Sequence, residues 1–331
     1  MAAQPFAPST TTARRGPLAV VRGALSTQEG VLAVGLLALM VLVGLANPRF
    51  VAERNLLNIF QGNAYIAVAA LGVSMVIMAG HIDISTGSLV GVLATVSGTL
   101  AVNGAPIWLS WLLPVLLGML VGAFNGFLVG YLRIPAIVVT LGMLSILKGG
   151  LIIATNGAWI SGMPAEYHLS QMRFLEIPLP IWFMVVLTAL VALWLRYSPT
   201  GRAIYAVGGN AEAARLSGIS ERRIVMTVFI LNGMFVGIAS ILFATQLSII
   251  QSTVPPNLEL LIITASVVGG VSILGGTGTV IGSTLAAVLL SAIGSALVFI
   301  NVSPYWLRAV QGVLILATVL ADLLRRRRQR L

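Results

Sequence analysis

Six polar side chains stand inside apolar stretches of this sequence, Asn63, Asn125, Lys148, Asn232, Gln246 and Gln251, and Asp83 and Glu259 stand near the ends of two such stretches. An amide carries donors and acceptors together, so it can replace the water a hydroxyl-rich solute sheds without gripping it as a charge would. That is the chemistry of passage rather than of bond making. Asp83, Asn125, Lys148, Asn232 and Gln246 are the candidates for a translocation path. Each Asn also has a structural role open to it, an interhelical hydrogen bond of about 0.6 kcal/mol, and Lys148 could snorkel to the interface. Asp83 has two roles open as well: with Gly80 ending one helix, Asp83 or Ser85 can cap the next at the inner face, or the carboxylate can act in the pathway. Capping is the first reading.

Other chemistry is excluded by composition. There are no cysteines, so disulfides, thiol catalysis and Cys-ligated metals fall away. The two histidines, His81 and His168, are too far apart in sequence to suggest a metal cluster. Lys148 is the sole lysine and is followed by Gly149 and Gly150 rather than preceded by a phosphate-binding loop. No catalytic residue, metal or cofactor is expected on this chain, and any ATP must be hydrolysed by another.

The elements that position these groups follow from hydropathy. Of 331 residues, 58% are hydrophobic and 8% charged, against about 25% charged in a soluble domain, and mean hydropathy is +1.02. The apolar surplus must face lipid. The expected fold is all-α, a polytopic membrane bundle of about ten spans of about 20 residues each. Apolar stretches fall near 31 to 46, 56 to 79, 84 to 102, 107 to 130, 134 to 154, 179 to 195, 224 to 247, 260 to 274, 279 to 300 and 304 to 321. The stretch at 260 to 274 is short and ends on Gly269 and Gly270, which suggests a broken or re-entrant segment. The first run could resemble a signal peptide, but its long polar leader argues for a retained span. The chain therefore divides into a cytoplasmic tail over 1–30, a membrane domain over 31–323 with a cytoplasmic loop over 197–222, and a basic tail over 324–331.

Charge sets the expected orientation. Net charge is +10, and with the N-terminus inside and ten spans, 14 of the 19 basic residues fall in the cytoplasm: Arg14, Arg15, Arg22, Arg133, Arg196, Arg202, Arg215, Arg222, Arg223, Arg325 to Arg328 and Arg330. Both termini are then cytoplasmic, and the basic tail meets lipid headgroups rather than nucleic acid. Gly118, Gly122, Gly126 and Gly130 recur every four residues and make one flat face for close helix packing. Thr86 to Gly91 resembles Thr277 to Gly282, a short candidate internal repeat.

The loop from Tyr197 to Ile219 encodes one short helix. Asn210 is a good N-cap, Glu212 and Arg215 suit the two dipole ends, alanines fill the middle, and Gly218 suits the left-handed C-terminal position. So short a helix is marginal alone, and must be propped by the membrane domain while free to dock in a partner's groove. A bulky charge at Ala214 is expected to abolish uptake and spare insertion.

Four stretches carry a resemblance: Gly80 to Ser88 (GHIDISTGS), Arg133 to Gly142 (RIPAIVVTLG), Gly208 to Ile219 and Gly269 to Gly278 (GGVSILGGTG). In order and spacing the chain resembles the sugar-type permease subunits of bacterial ATP-binding-cassette (ABC) importers, the group that includes ribose, xylose, rhamnose and autoinducer permeases. His81 departs from the glycine usual there before Ile-Asp. The resemblance implies an inner-membrane permease for a monosaccharide, or alternatively for an autoinducer-type furanosyl signal, a reading toward which Trp159 to Glu166 tilts. It implies that Gly208, Gly209, Asn210, Glu212, Ala213, Ala214, Arg215, Gly218 and Ile219 couple the chain to an ATPase. The implied partners are ABC ATPase subunits holding ATP and Mg, a second permease copy or a sister permease, and a periplasmic sugar-binding protein. The long loop from Thr155 to Ile177 could dock the last of these. An ion-coupled secondary transporter is the lesser alternative, because the apparent spans hold few carboxylates.

Overall fold

The computed structural model describes residues 27–253 and 255–330. The expected N-terminal lead-in, with Arg14, Arg15 and Arg22, lies outside the described residues, as do the side chains of the basic run from Arg325. Among the described residues, eight helical stretches are long and apolar enough to cross a membrane, and two further apolar helices are shorter, Thr86–Val102 and Leu258–Val268. In chain order the helices are α1 (Gln28–Ala46), α2 (Glu53–Gly62), α3 (Ala64–Met78), α4 (Thr86–Val102), α5 (Ile107–Gly130), α6 (Ala136–Thr155) and α7 (Leu179–Tyr197). They continue with α8 (Pro199–Gly209), α9 (Ala211–Leu216), α10 (Glu221–Ala244), α11 (Leu258–Val268), α12 (Val280–Phe299) and α13 (Trp306–Arg330). α2 and α3 make one crossing broken at Asn63. α13 runs past residue 323, so the backbone of the basic tail continues the last helix.

α3 is the centre, with every residue from Ile66 to Met78 buried. α10 packs against α5, α3 and α4. The α5–α10 seam is built on glycine: a Cβ at Gly118 or Gly122 would overlap the carbonyl oxygens of Gly233 or Phe229, and one at Gly126 or Gly130 would come within 3.1 Å of Met226 Cα or Arg222 O. Backbones this close gain dispersion contacts that lipid tails cannot match. The outward faces of α5 (Leu112, Leu116, Leu120, Phe124) and α7 (Val185, Val186, Leu190, Leu193) are apolar, as lipid requires.

Contacts define two ends of the bundle. At one, Gln28 Nε2 donates to Val268 O, Gly276 N to Met78 O and Tyr205 Oη to Gly278 O. At the other, Asn47 Nδ2 donates to Phe299 O and Gln61 Nε2 to Ser170 O. There the long loop is packed at Tyr167 and Ser170, while Trp159 and residues 171–176 are exposed. Tyr167 is fully buried and donates to Ser97 Oγ at 2.9 Å, and its burial pushes the phenol up to about 12. β1 (Ile160–Ser161) pairs antiparallel with β4 (Ile249–Ile250), and β2 (Arg173–Phe174) with β3 (Ile177–Pro178).

Candidate functional site

Two features stand out, a knob at one end and a sealed polar cluster inside. The loop holds two helices where the sequence suggested one. Ser198 accepts from Gly201 N at 2.8 Å and Pro199 occupies the first turn, so α8 starts directly after α7. Gly208 and Gly209 are therefore the last turn of α8 rather than part of an exposed loop. A Cβ on Gly208 would overlap Met78 O, and Gly80, Gly275 and Gly276 all take positive φ where the backbones meet. α9 hangs from this joint. Asn210 Oδ1 accepts from Ala213 N at 3.0 Å, Gly218 takes φ +82°, and Arg215 pairs with Glu212. The guanidinium hydrogen bonds and charge of Arg215 hold the Glu212 carboxyl below the usual carboxylate range.

The knob's exposure is asymmetric. Glu212, Ala213, Arg215 and Ser217 face outward, Ile219 is half-buried, and Leu216 is 79% exposed. Ala214 is 4% exposed and packs into the chain's own core, so it seats α9 on the bundle, and a bulky charge there would unseat the helix. Leu216 was missed by sequence reasoning. The available signal was a lone large aliphatic residue ending a helix of small and charged ones.

Three of the five path candidates come together. Asp83 Oδ1 accepts from Ser85 N at 2.9 Å and Ser85 Oγ at 2.6 Å, and Asp83 Oδ2 accepts from Asn232 Nδ2 at 2.9 Å. Asn125 Nδ2 donates to Ser85 Oγ at 3.3 Å. Asp83, Asn125 and Asn232 are each no more than 2% exposed, and no salt bridge reaches Asp83 among the described residues. The Asp83 carboxyl group is held by neutral partners, ties the start of α4 to α10, and does not line open space.

The capping expectation changes in detail and in place. Ser85 holds the N-cap position but its side chain caps nothing, while Asp83 bonds Ser85's own amide. Gly80, at φ +88°, turns the chain back into the bundle, so Asp83 lies level with the middle of α10 rather than at the inner face. Lys148 and Gln246 stand apart from this cluster. Lys148 is exposed on α6, and Gln246 donates to Gln61 O at 2.9 Å at the far end.

Replacing Asp83 with alanine strands the Ser85 amide and the Asn232 amide in a dry site, at about 1 to 3 kcal/mol each. Thermal unfolding in detergent is expected to show Asp83→Ala clearly below the unmodified chain, with Asp83→Asn between them because it keeps one acceptor. An alanine variant as stable as the unmodified chain but defective in uptake would return Asp83 to a pathway role.

Residues 55–319 match the family described as branched-chain amino acid transport system / permease component. The chain is 37% identical over 298 residues to the autoinducer 2 import system permease protein LsrC of Yersinia enterocolitica, covering 90% of this chain and 83% of the relative. It is 36% identical over 290 residues to LsrC of Photorhabdus laumondii, covering 87% of each. LsrC of Escherichia coli O157:H7 is 35% identical over 290 residues, covering 87% of this chain and 85% of the relative. No solved structure matches the chain.

Proposed function

This chain belongs to the permease components of binding-protein-dependent ABC importers, and from that premise we propose that it carries an autoinducer-type furanosyl signal inward by alternating access driven from α9. The relatives' names favour that cargo over ribose, xylose or rhamnose. The observation that carries the mechanism is the exposed knob with Leu216 at its tip, hung from a joint where Gly208 meets Met78. ATP and Mg reside on partner ATPase subunits, whose closure presses on α9. α8 passes the motion to the end of α3 and to the turn at Gly275 and Gly276. The ligand arrives on a periplasmic binding protein, and a second permease chain completes the membrane core. For differential work, the ATP-bound partner must grip one arrangement of the spans more tightly than the other.

The α9 end faces the cytoplasm. Arg133, Arg196, Arg202, Arg215, Arg222 and Arg223 cluster there, against Arg49, Arg54, Arg173 and Arg308 at the other end, which supports the positive-inside assignment. On this orientation α1 begins inside and α13 ends there. In proteoliposomes containing the chain with its ATPase and binding-protein partners, ligand-loaded binding protein is expected to raise ATP hydrolysis, with autoinducer 2 taken up in preference to pentoses. Uptake that follows an ion gradient, with no ATPase stimulation by any partner set, would replace this function with ion-coupled transport.

A further inference from the structure

The exposed polar groups at membrane depth lie elsewhere than in the buried cluster. α10 has 24 residues, and at 1.5 Å per residue Asn232 stands about 16 Å from its start, near mid-depth. Asp83 is bonded to Asn232, and Thr86 approaches it at 3.5 Å, so α4 begins at that depth. α11 begins there too, because a Cβ on Gly87 would fall 2.5 Å from Glu259 N. Farther along α4, a Cβ on Gly98 would fall 2.5 Å from Ile250 Cδ1. Between those two contacts the chain descends alongside α4 by about 16 Å, and its described residues there form no helix before Leu258.

Gln251, Thr253 and Asn257 are exposed on this descent, and Glu259 is half-exposed at its foot. Asn257 takes φ +60°, with its side chain capping nothing. Open backbone at membrane depth has no hydrogen-bond partner in lipid and occurs only where protein buries it or water reaches it. The apolar outer faces of α5 and α7 show what lipid contact looks like in this chain.

We propose that Gln251, Asn257 and Glu259 form one wall of a water-filled outer half of the translocation path, and that this wall selects a neutral polyhydroxy solute. The two amides offer donors and acceptors to hydroxyls, and the Glu259 carboxylate repels anions such as sugar phosphates. The proposal rests on the importer assignment above and adds to it the place and charge preference of the path.

The chain has no cysteine, so single cysteines can be placed directly in the assembled complex with its ATPase and binding protein. Gln251→Cys, Asn257→Cys and, on the lipid face of α7, Leu190→Cys are treated from outside with membrane-impermeant charged methanethiosulfonates. Positions 251 and 257 are expected to react at least about tenfold faster than 190, and modification at 257 to block uptake. A cationic reagent is expected to outpace an anionic one at 257 by about tenfold after correction for intrinsic reactivity, a ratio that collapses in an added Glu259→Gln background. Reaction at both 251 and 257 no faster than at 190 means the face is dry and overturns the proposal. Complete modification at 257 with uptake unchanged places the water off the path and overturns it equally. A charge ratio unaffected by Glu259→Gln overturns the selectivity. Gln251→Cys keeps the test open should the strained Asn257 position not tolerate replacement. Failure of ATP-driven uptake by the unmodified complex would remove the importer assignment, whereas the labelling rates report the wet wall without any transport.

Discussion

Leu216→Asp is expected to lower ATP-driven uptake at least tenfold while the chain still inserts and unfolds at the temperature of the unmodified protein. The side chain is 79% exposed, so its removal costs the isolated chain little, typically within about 0.5 kcal/mol at such surface positions. Seated in a groove of the ATPase, the same leucine would contribute about 1.5 to 3 kcal/mol by burial. A carboxylate in that groove loses the contribution and adds the cost of drying a charge. Tenfold corresponds to about 1.4 kcal/mol, so the expected loss needs only the lower end of that range. Uptake and co-purification of the ATPase should fall together. Wild-type uptake in this variant would remove α9 as the point of contact. Ala214 gives no such clean result, because at 4% exposure it packs inward and its replacement disturbs fold and docking at once.

The contrast between Leu216 and Ala214 shows what the sequence discloses. Caps and helix ends are local properties, so Asn210, Gly218 and the windows for α5 and α12 are legible from residue types alone; the count of about ten spans is not, since two of the apolar stretches hold helices too short to cross. Which side of a six-residue helix faces the bundle depends on the preceding α8, whose start at Ser198 and Pro199 is a short signal beside the stronger one at Asn210. Depth is still less legible. A hydropathy window treats 84 to 102 as a full span, but the helix begins at Thr86 near the level of Asn232 because Gly80 folds the chain back inside. Asp83, Asn125 and Asn232 are polar residues in or beside apolar stretches, which marks a path and a structural tie alike. Only burial separates them, and at 2% exposure or less they are ties. Gln251, grouped with the polar residues of the apolar stretches, in fact lies just past the one that ends at 247, Asn257 falls between stretches, and Glu259 looked like an end residue.

Gly208→Ala is expected to cost about 2 kcal/mol or more and to abolish uptake, although alanine is the better helix former by about 1 kcal/mol. The added methyl would overlap Met78 O, and Gly276 N lies close beside it, both of them backbone atoms already bonded to each other at 2.9 Å. No side chain can swing away to make room. Relief requires α8 to part from α3 or the turn at Gly275 and Gly276 to open. Gly209→Ala is the matched control, because its methyl would meet Gly276 Cα at an ordinary 3.9 Å. That variant should unfold at or slightly above the temperature of the unmodified chain and transport normally. Equal behaviour of the two variants would mean that the contact at Gly208 is loose, and a loose contact cannot carry force. If they differ as expected, the joint at Gly208 ties α8 to the end of α3 and to the turn at Gly275 and Gly276 by direct backbone contact. A push on Leu216 must then shift Gly80 and the segment that holds Asp83 against α10, since the joint between them has no side chain to absorb it.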